Sequence, residues 1–128
     1  MYEKNMRMVL LYDFYQVLLT EKQQSMMDLY YQQDFSLAEI AQALSISRQA
    51  VYDHLKRTES TLEKYETKMK LLEKHTQQQQ LIETMEERMA DFRKKHLIKM
   101  KNEETTNSFD EIYQLLKRLE RDEYSIKG

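Results

Sequence analysis

The stretch Ser36-Leu-Ala-Glu-Ile-Ala-Gln-Ala-Leu-Ser-Ile-Ser-Arg-Gln-Ala-Val-Tyr-Asp-His-Leu-Lys-Arg57 decides the fold, because it divides into two short helices around a tight turn. Ser36 can accept a bond from the backbone N–H three residues on while Glu39 reaches back to Ser36, the reciprocal capping box that starts a helix. Leu37, Ile40, Ala41 and Leu44 then fall at i, i+3, i+4 and i+7, so one face is apolar. Ala41 is small where two steeply crossing helices approach closely, and Ile46 is expected to plug the corner. Ser45 and Ser47 offer turn and cap chemistry. A second helix starts at Arg48. Val51 and Leu55 anchor it inward, which leaves Arg48, Gln49, Tyr52, Asp53, Lys56 and Arg57 facing away, with Ser47 at their head. That is where the second helix of a helix-turn-helix presents side chains to a groove.

Around this motif the chain offers little to break a helix. Its 128 residues contain no Pro and a single Gly, at position 128, so long uninterrupted helices are the expectation. Nine Met and nine Tyr make the available core soft and amphipathic. With no Cys, disulfides, thiolate zinc sites and cysteine nucleophiles are excluded. No apolar run is long enough to span a membrane, and the N-terminus Met-Tyr-Glu-Lys-Asn-Met-Arg lacks the apolar region of a signal peptide. A cytoplasmic protein is expected.

Net charge is −2, but its distribution is uneven. Lys and Arg against Asp and Glu count 6 to 7 over residues 1–58, 10 to 8 over 59–101 and 4 to 7 over 102–128. Phosphate neutralisation supplies most non-specific affinity for DNA. The motif's own portion is therefore not basic, and a dimer or another part of the chain would have to add positive charge.

Upstream, Met6, Val9, Leu10, Phe14, Val17 and Leu18 form a helical stripe over residues 3–18. Thr20 with Gln23 is a second capping box, opening a helix to about Gln33 with Met26, Met27, Leu29, Tyr30 and Tyr31 as its apolar surface. Downstream, Leu62, Tyr65, Met69 and Leu72 continue from Leu55 at spacings of three and four, so the second motif helix has no evident stop. At Thr76 to Gln80 the seam loses its apolar residues, and Ile82, Met85, Met89 and Phe92 resume it out of phase. Gln is a good helix former, so continuation or a local bend is favoured over a hairpin. Arg93, Lys94, Lys95, Lys99 and Lys101 make the most basic stretch. Asn102 to Asn107 reads as a polar loop, and Ser108 with Glu111 as a third capping box before an amphipathic helix carrying Ile112, Leu115, Leu116 and Leu119.

Asn5-Met-Arg-Met, Leu11-Tyr-Asp-Phe-Tyr-Gln, Leu18-Leu-Thr-Glu-Lys-Gln, Ser36-Leu-Ala-Glu-Ile-Ala, Ser47-Arg-Gln-Ala-Val-Tyr-Asp and Lys56-Arg-Thr-Glu resemble the YlxM family of small helix-turn-helix proteins. More broadly, the motif is similar to the promoter-reading C-terminal region of bacterial sigma factors. The narrower resemblance covers residues 4–65. It implies a bacterial cytoplasmic protein whose gene tends to neighbour those of the signal recognition particle machinery, with a regulatory role in that pathway. By analogy with sigma-type recognition helices, Arg48, Gln49 and Asp53 would occupy base-reading positions. Two positions depart from that pattern. Ser45 stands where Gly is usual and is left to take a left-handed conformation, and His54 replaces an apolar core position that Leu55 takes over.

The fold class is thus all-α: a sigma-like helix-turn-helix module over residues 1–60, with its motif at 36–57, and a long helical C-terminal extension over 61–128. Ser47, Arg48, Gln49, Tyr52, Asp53, Lys56 and Arg57 form a nucleic-acid contact face or, on the simpler view, a solvated helix face. The stretch from Arg93 to Lys101 is a secondary basic patch for RNA phosphate or an acidic partner; the commoner case, preferred here, is the charged side of a long helix offset by Glu83, Glu86, Glu87 and Asp91. So short a chain has little body to cover the seams Leu62–Leu72 and Ile82–Phe92, so a homodimer through paired helices is expected. An enzyme is not: His54, His75 and His96 are 21 residues apart, no metal spacing or glycine-rich phosphate loop exists, and no cofactor is implied. The leading function is an accessory protein of the signal recognition particle pathway, binding its RNA or its GTPase. The alternatives are a dimeric DNA-binding transcription regulator and a protein-only adaptor.

Overall fold

A computed structural model describes residues 5–124, and side-chain exposure for 5–120. The order is α1 (Met6–Tyr15), a 3₁₀ turn (Gln16–Leu18), α2 (Glu21–Met27) widening into a π turn (Asp28–Gln32), α3 (Leu37–Leu44) and α4 (Arg48–Met69). Next come α5 (Leu71–Phe92), a π segment (Arg93–Leu97), the single turn α6 (Ile98–Met100) and α7 (Glu103–Tyr124). The fold is all-α, with no strand among the described residues. The chain divides into two compact units, with the boundary between Leu72 and Glu73.

In the first unit Asn5 caps α1, its Oδ1 accepting from the Met8 N–H at 2.7 Å. The inward face of α1 is Met8, Leu11, Tyr12 and Tyr15, not the stripe of Met6, Val9, Leu10, Phe14, Val17 and Leu18 that spacing favours. Met6, Val17 and Leu18 are exposed, and Leu10 and Phe14 pack at the edge. Residues 3 and 4 of the expected helix lie outside the described residues. Both stripes have helical period, and the tyrosines decide between them because their hydroxyls find partners inside. Tyr12 donates to the Asp28 carboxylate at 2.5 Å and to the Gln24 carbonyl at 3.1 Å. Tyr15 donates to Glu66 at 2.6 Å.

The Thr20 capping box closes in both directions, at 3.1 and 2.9 Å, and α2 buries Met26 and Met27. Its continuation widens until the Gln33 N–H bonds the Asp28 carbonyl five residues back, and Asp34 turns the chain at φ 61°. Leu37 and Ile40 of α3 and Val51, Leu55 and Leu62 of α4 complete the core with Leu72.

The helix that begins at Arg48 does run far beyond the motif, but it stops at Lys70, which is left-handed at φ 56°. No glycine announces this stop. The Glu66 carboxylate makes it: its Oε1 accepts from the Leu72 N–H at 3.0 Å, while the Tyr15 hydroxyl accepts from the Leu71 N–H at 2.9 Å. These bonds satisfy donors that the first turn of a new helix would otherwise leave orphaned. From there α5 runs unbroken through Gln77–Gln80, as the helix propensity of Gln implies.

In the second unit α5 and α7 are antiparallel partners. Phe92 stacks on Phe109 with centroids 5.8 Å apart, Arg93 pairs with Asp110, and Glu86 holds Lys117 at 3.3 Å. Ile82, Leu97 and Leu116 are buried. The polar loop expected over Asn102–Asn107 is instead the start of α7: Asn102 is the cap, its Oδ1 accepting from the Thr105 N–H at 3.1 Å. Asn caps as well as Ser, so the expected Ser108–Glu111 start falls inside the helix.

Candidate nucleic-acid interface

The motif is assembled by backbone chemistry its sequence specifies. Ser36 and Glu39 close their capping box at 3.1 and 3.0 Å. At the far end of α3, Ser45 takes the left-handed conformation at φ 57°; its N–H bonds the Gln42 carbonyl and that of Ile46 bonds the Ala41 carbonyl at 3.1 Å. This pair of bonds is a Schellman stop. Ile46 sits beside it more than a third exposed, so it does not plug the core as expected. Two residues after the stop, Ser47 caps α4, its Oγ accepting from the Ala50 N–H at 3.0 Å.

α4 then presents two faces. Val51 and Leu55 are fully buried. Arg48, Gln49, Tyr52, Asp53, Lys56 and Arg57 are exposed, and Ser47 with them at the helix start. All seven sequence-expected residues are thus exposed, over an arc of α4 whose two edges are Arg48 and Arg57. Several are pre-oriented. Gln49 Nε2 donates to Asp53 Oδ1 at 3.0 Å, and Lys56 Nζ lies 5.6 Å from the Tyr52 ring centroid.

Arg57 Nη2 stands 3.3 Å from His54 Nδ1. A guanidinium can only donate, so Nδ1 accepts. The His54 pKa is lowered, first by burial and then by the nearby charges of Arg57 and Lys22, which agrees with a neutral ring. Lys22 is the residue that sequence reading missed. It lies in the first turn of α2, over thirty residues from His54 in the chain, and no local spacing signals it.

Beneath this face lies a buried carboxylate. Glu59 accepts from the Tyr31 hydroxyl at 2.7 Å, with Lys56 Nζ 3.8 Å away at its outer edge. Burial pushes its pKa up to about 7. Three further acids of the unit are engaged away from this face: Asp28 with Tyr12, Glu63 with Arg7 and Glu66 with Tyr15. The exposed cations of this part of the unit are Arg48, Lys56 and Arg57 on α4, with Lys22 acting on His54 from α2 and the exposed Asp53 among them.

The secondary basic stretch belongs to the second unit. Arg93 is paired with Asp110 and Lys95 with Asp91 at 3.0 Å, while Lys94, Lys99 and Lys101 are exposed. Among the described residues no cluster of His and carboxylates could hold a metal ion. No described helix is long and apolar enough to cross a membrane.

A family model described as "Putative helix-turn-helix protein, YlxM / p13 like" matches residues 2–104. The chain is 56% identical to a UPF0122 protein of Geobacillus sp. (strain WCH70) over 87 residues, covering 68% of this chain and 79% of that one. It is 51% identical to one of Listeria innocua over 90 residues, 70% of this chain and 82% of the relative. A UPF0122 protein of Bacillus pumilus is 55% identical over 89 residues, 70% and 81% of the two chains. The match thus reaches well past the motif, through α4 and α5. The chain belongs to the UPF0122 family of YlxM / p13-like helix-turn-helix proteins.

Proposed function

We propose that this protein is a non-enzymatic accessory or regulatory protein that binds nucleic acid through the outward face of α4. The observation that carries the reading is that the capped motif helix α4 turns Arg48, Gln49, Tyr52, Lys56 and Arg57 to solvent, with Asp53 among them bonded to Gln49. Cationic side chains on a rigid helix neutralise phosphates and release counterions, and Tyr52 adds an aromatic surface against which a base can stack. The resemblance to the YlxM family supplies the pathway: cytoplasmic, with the signal recognition particle's RNA or its GTPase as the partner. Pairing of two chains belongs to the same reading, because two copies double the number of phosphates engaged.

A second reading, a DNA-binding transcription regulator, is favoured by one observation. The Gln49–Asp53 bond holds two side chains in fixed orientation at the start of the helix, where base edges are read in the major groove.

The deciding experiment is a pull-down from lysate with and without ribonuclease or deoxyribonuclease, followed by binding at increasing salt. Recovery of the particle's RNA, lost on ribonuclease treatment and with steep salt dependence, is expected. Recovery of defined DNA fragments would favour the regulator. A protein partner insensitive to both nucleases and to salt would overturn the nucleic-acid reading.

A further inference from the structure

The second unit leaves one apolar face open. On α5 the residues turned to α7 include the buried Ile82, Glu86, which holds Lys117, and Arg93, which pairs with Asp110. On α7 the corresponding line is Tyr113, Leu116 and Glu120, buried or half-buried. One position before each of these stand Leu81, Met85 and Phe92 on α5 and Ile112, Leu115 and Leu119 on α7, all between 45% and 61% exposed. A step of one residue rotates a side chain by about 100° around a helix. Because the two helices are antiparallel, the same backward step on each sends both stripes to the same side. The unit therefore carries one continuous face of six large apolar side chains. Its area, on the order of several hundred Å², is at the upper end of what a monomer leaves open and approaches one side of a stable interface.

The charges beside this face say what covers it. Glu111 and Arg118 are exposed, flank the α7 stripe and lie seven residues apart, so they hold the same register position with opposite sign. Parallel pairing of two α7 helices would put Glu111 and Arg118 of the two copies on opposite sides of the seam, out of one another's reach. Antiparallel pairing sets Ile112 of each helix against Leu115 of the other and Glu111 of each beside Arg118 of the other. A two-fold axis near Gln114 produces this, as an isologous interface requires.

We propose that this face docks a second copy of the chain, with α7 against α7 antiparallel. The inference rests on the reading of the chain as a homodimer and names the surface responsible. α7 lies almost wholly beyond the residues shared with the family, so the α7 half of the face is a feature of this chain, while the α5 half falls inside the matched stretch.

The test is sedimentation equilibrium on the full chain and four variants, with helix content followed by circular dichroism. The wild type is expected to be a dimer, and Leu115→Glu a monomer of unchanged helicity. Glu111→Arg and Arg118→Glu each weaken the dimer, by roughly three- to tenfold, since an exposed like-charge pair is repeated twice by symmetry. The double swap, E111R with R118E, restores it. A wild-type monomer would overturn the proposal together with the homodimer reading. A dimer that survives Leu115→Glu would overturn the face alone, and single swaps not rescued by the double swap would overturn the antiparallel arrangement. Leu115→Glu could fail to fold, but the swaps concern exposed side chains and keep the test decisive.

Discussion

The hydroxyl of Tyr15 sits 2.6 Å from Oε1 of Glu66, joining the end of α1 to the corner between α4 and α5. The same hydroxyl accepts from the Leu71 N–H and the same carboxylate oxygen accepts from the Leu72 N–H. Two side chains thus replace the missing helical partners at the start of α5. Tyr15→Phe keeps the ring but removes both hydroxyl bonds, leaving a buried carboxylate short of a donor and a backbone N–H without its acceptor. A loss of about 2–3 kcal/mol is expected. Urea unfolding checks it: the midpoint should fall with the slope unchanged.

Ser45 and Lys70 occupy the left-handed region at φ 57° and 56°. That conformation crowds a Cβ against the carbonyl oxygen and costs about 1–2 kcal/mol for a residue other than Gly. Gly also gains freedom in the unfolded chain, which offsets part of the relief. Ser45→Gly and Lys70→Gly should each raise stability, by about 0.5–1 kcal/mol net, and the thermal midpoint should rise in both. Neither side chain contributes its oxygen or ammonium to the stop; the backbone does, so no compensating loss is expected.

How much of this was legible in the sequence follows from which interactions are local. The capping boxes at Thr20 and Ser36, the left-handed Ser45 and the anchors Val51 and Leu55 were all readable, because each depends on residues within a turn or two. The outward α4 face was readable for the same reason. The inward face of α1 was not: two stripes of equal period compete there, and Asp28 and Glu66, which settle the choice by accepting from Tyr12 and Tyr15, come from the π turn after α2 and from α4. The stop at Lys70 was hidden for a related reason, since its partner Tyr15 lies more than fifty residues upstream and no Gly marks the place. Lys22 entered the candidate site only when α2 was brought near His54.

The carboxylate of Glu59 links the core to pH. Its pKa is raised to about 7 by burial, whereas an unfolded glutamate titrates near 4.3. Between these values the folded chain holds a proton that the unfolded chain has released, so stability falls as pH rises from about 4.5 to 7 and is level above. The neighbouring Lys56 ammonium, at the exposed edge, moderates the penalty. Glu59→Gln preserves an acceptor for the Tyr31 hydroxyl and removes the titration. The variant should be more stable than the parent at pH 8, by on the order of 1–2 kcal/mol, and should approach it near pH 5. Denaturant midpoints measured across this range give the comparison, and parallel curves would rule the effect out.

Substitutions on α4 separate sequence reading from phosphate contact. Arg48 stands at the start of the helix beside the Ser47 cap, where side chains reach furthest into a groove. Lys56 and Arg57 lie two turns on, toward the flanking backbone. Arg48→Ala should weaken binding by about 1–3 kcal/mol, and more for a preferred ligand than for a random one. Lys56→Ala should weaken binding to every nucleic acid alike and reduce the slope of log affinity against log salt by about one. Asp53→Ala acts in the opposite direction on affinity, removing a negative charge from the face, and it frees Gln49 from its 3.0 Å bond. It should raise affinity while blurring preference between ligands. Fluorescence anisotropy with one labelled RNA and one labelled duplex, each at several salt concentrations, measures all three variants. Equal affinities across the series would mean that α4 is a solvated surface and that partners bind elsewhere on the chain.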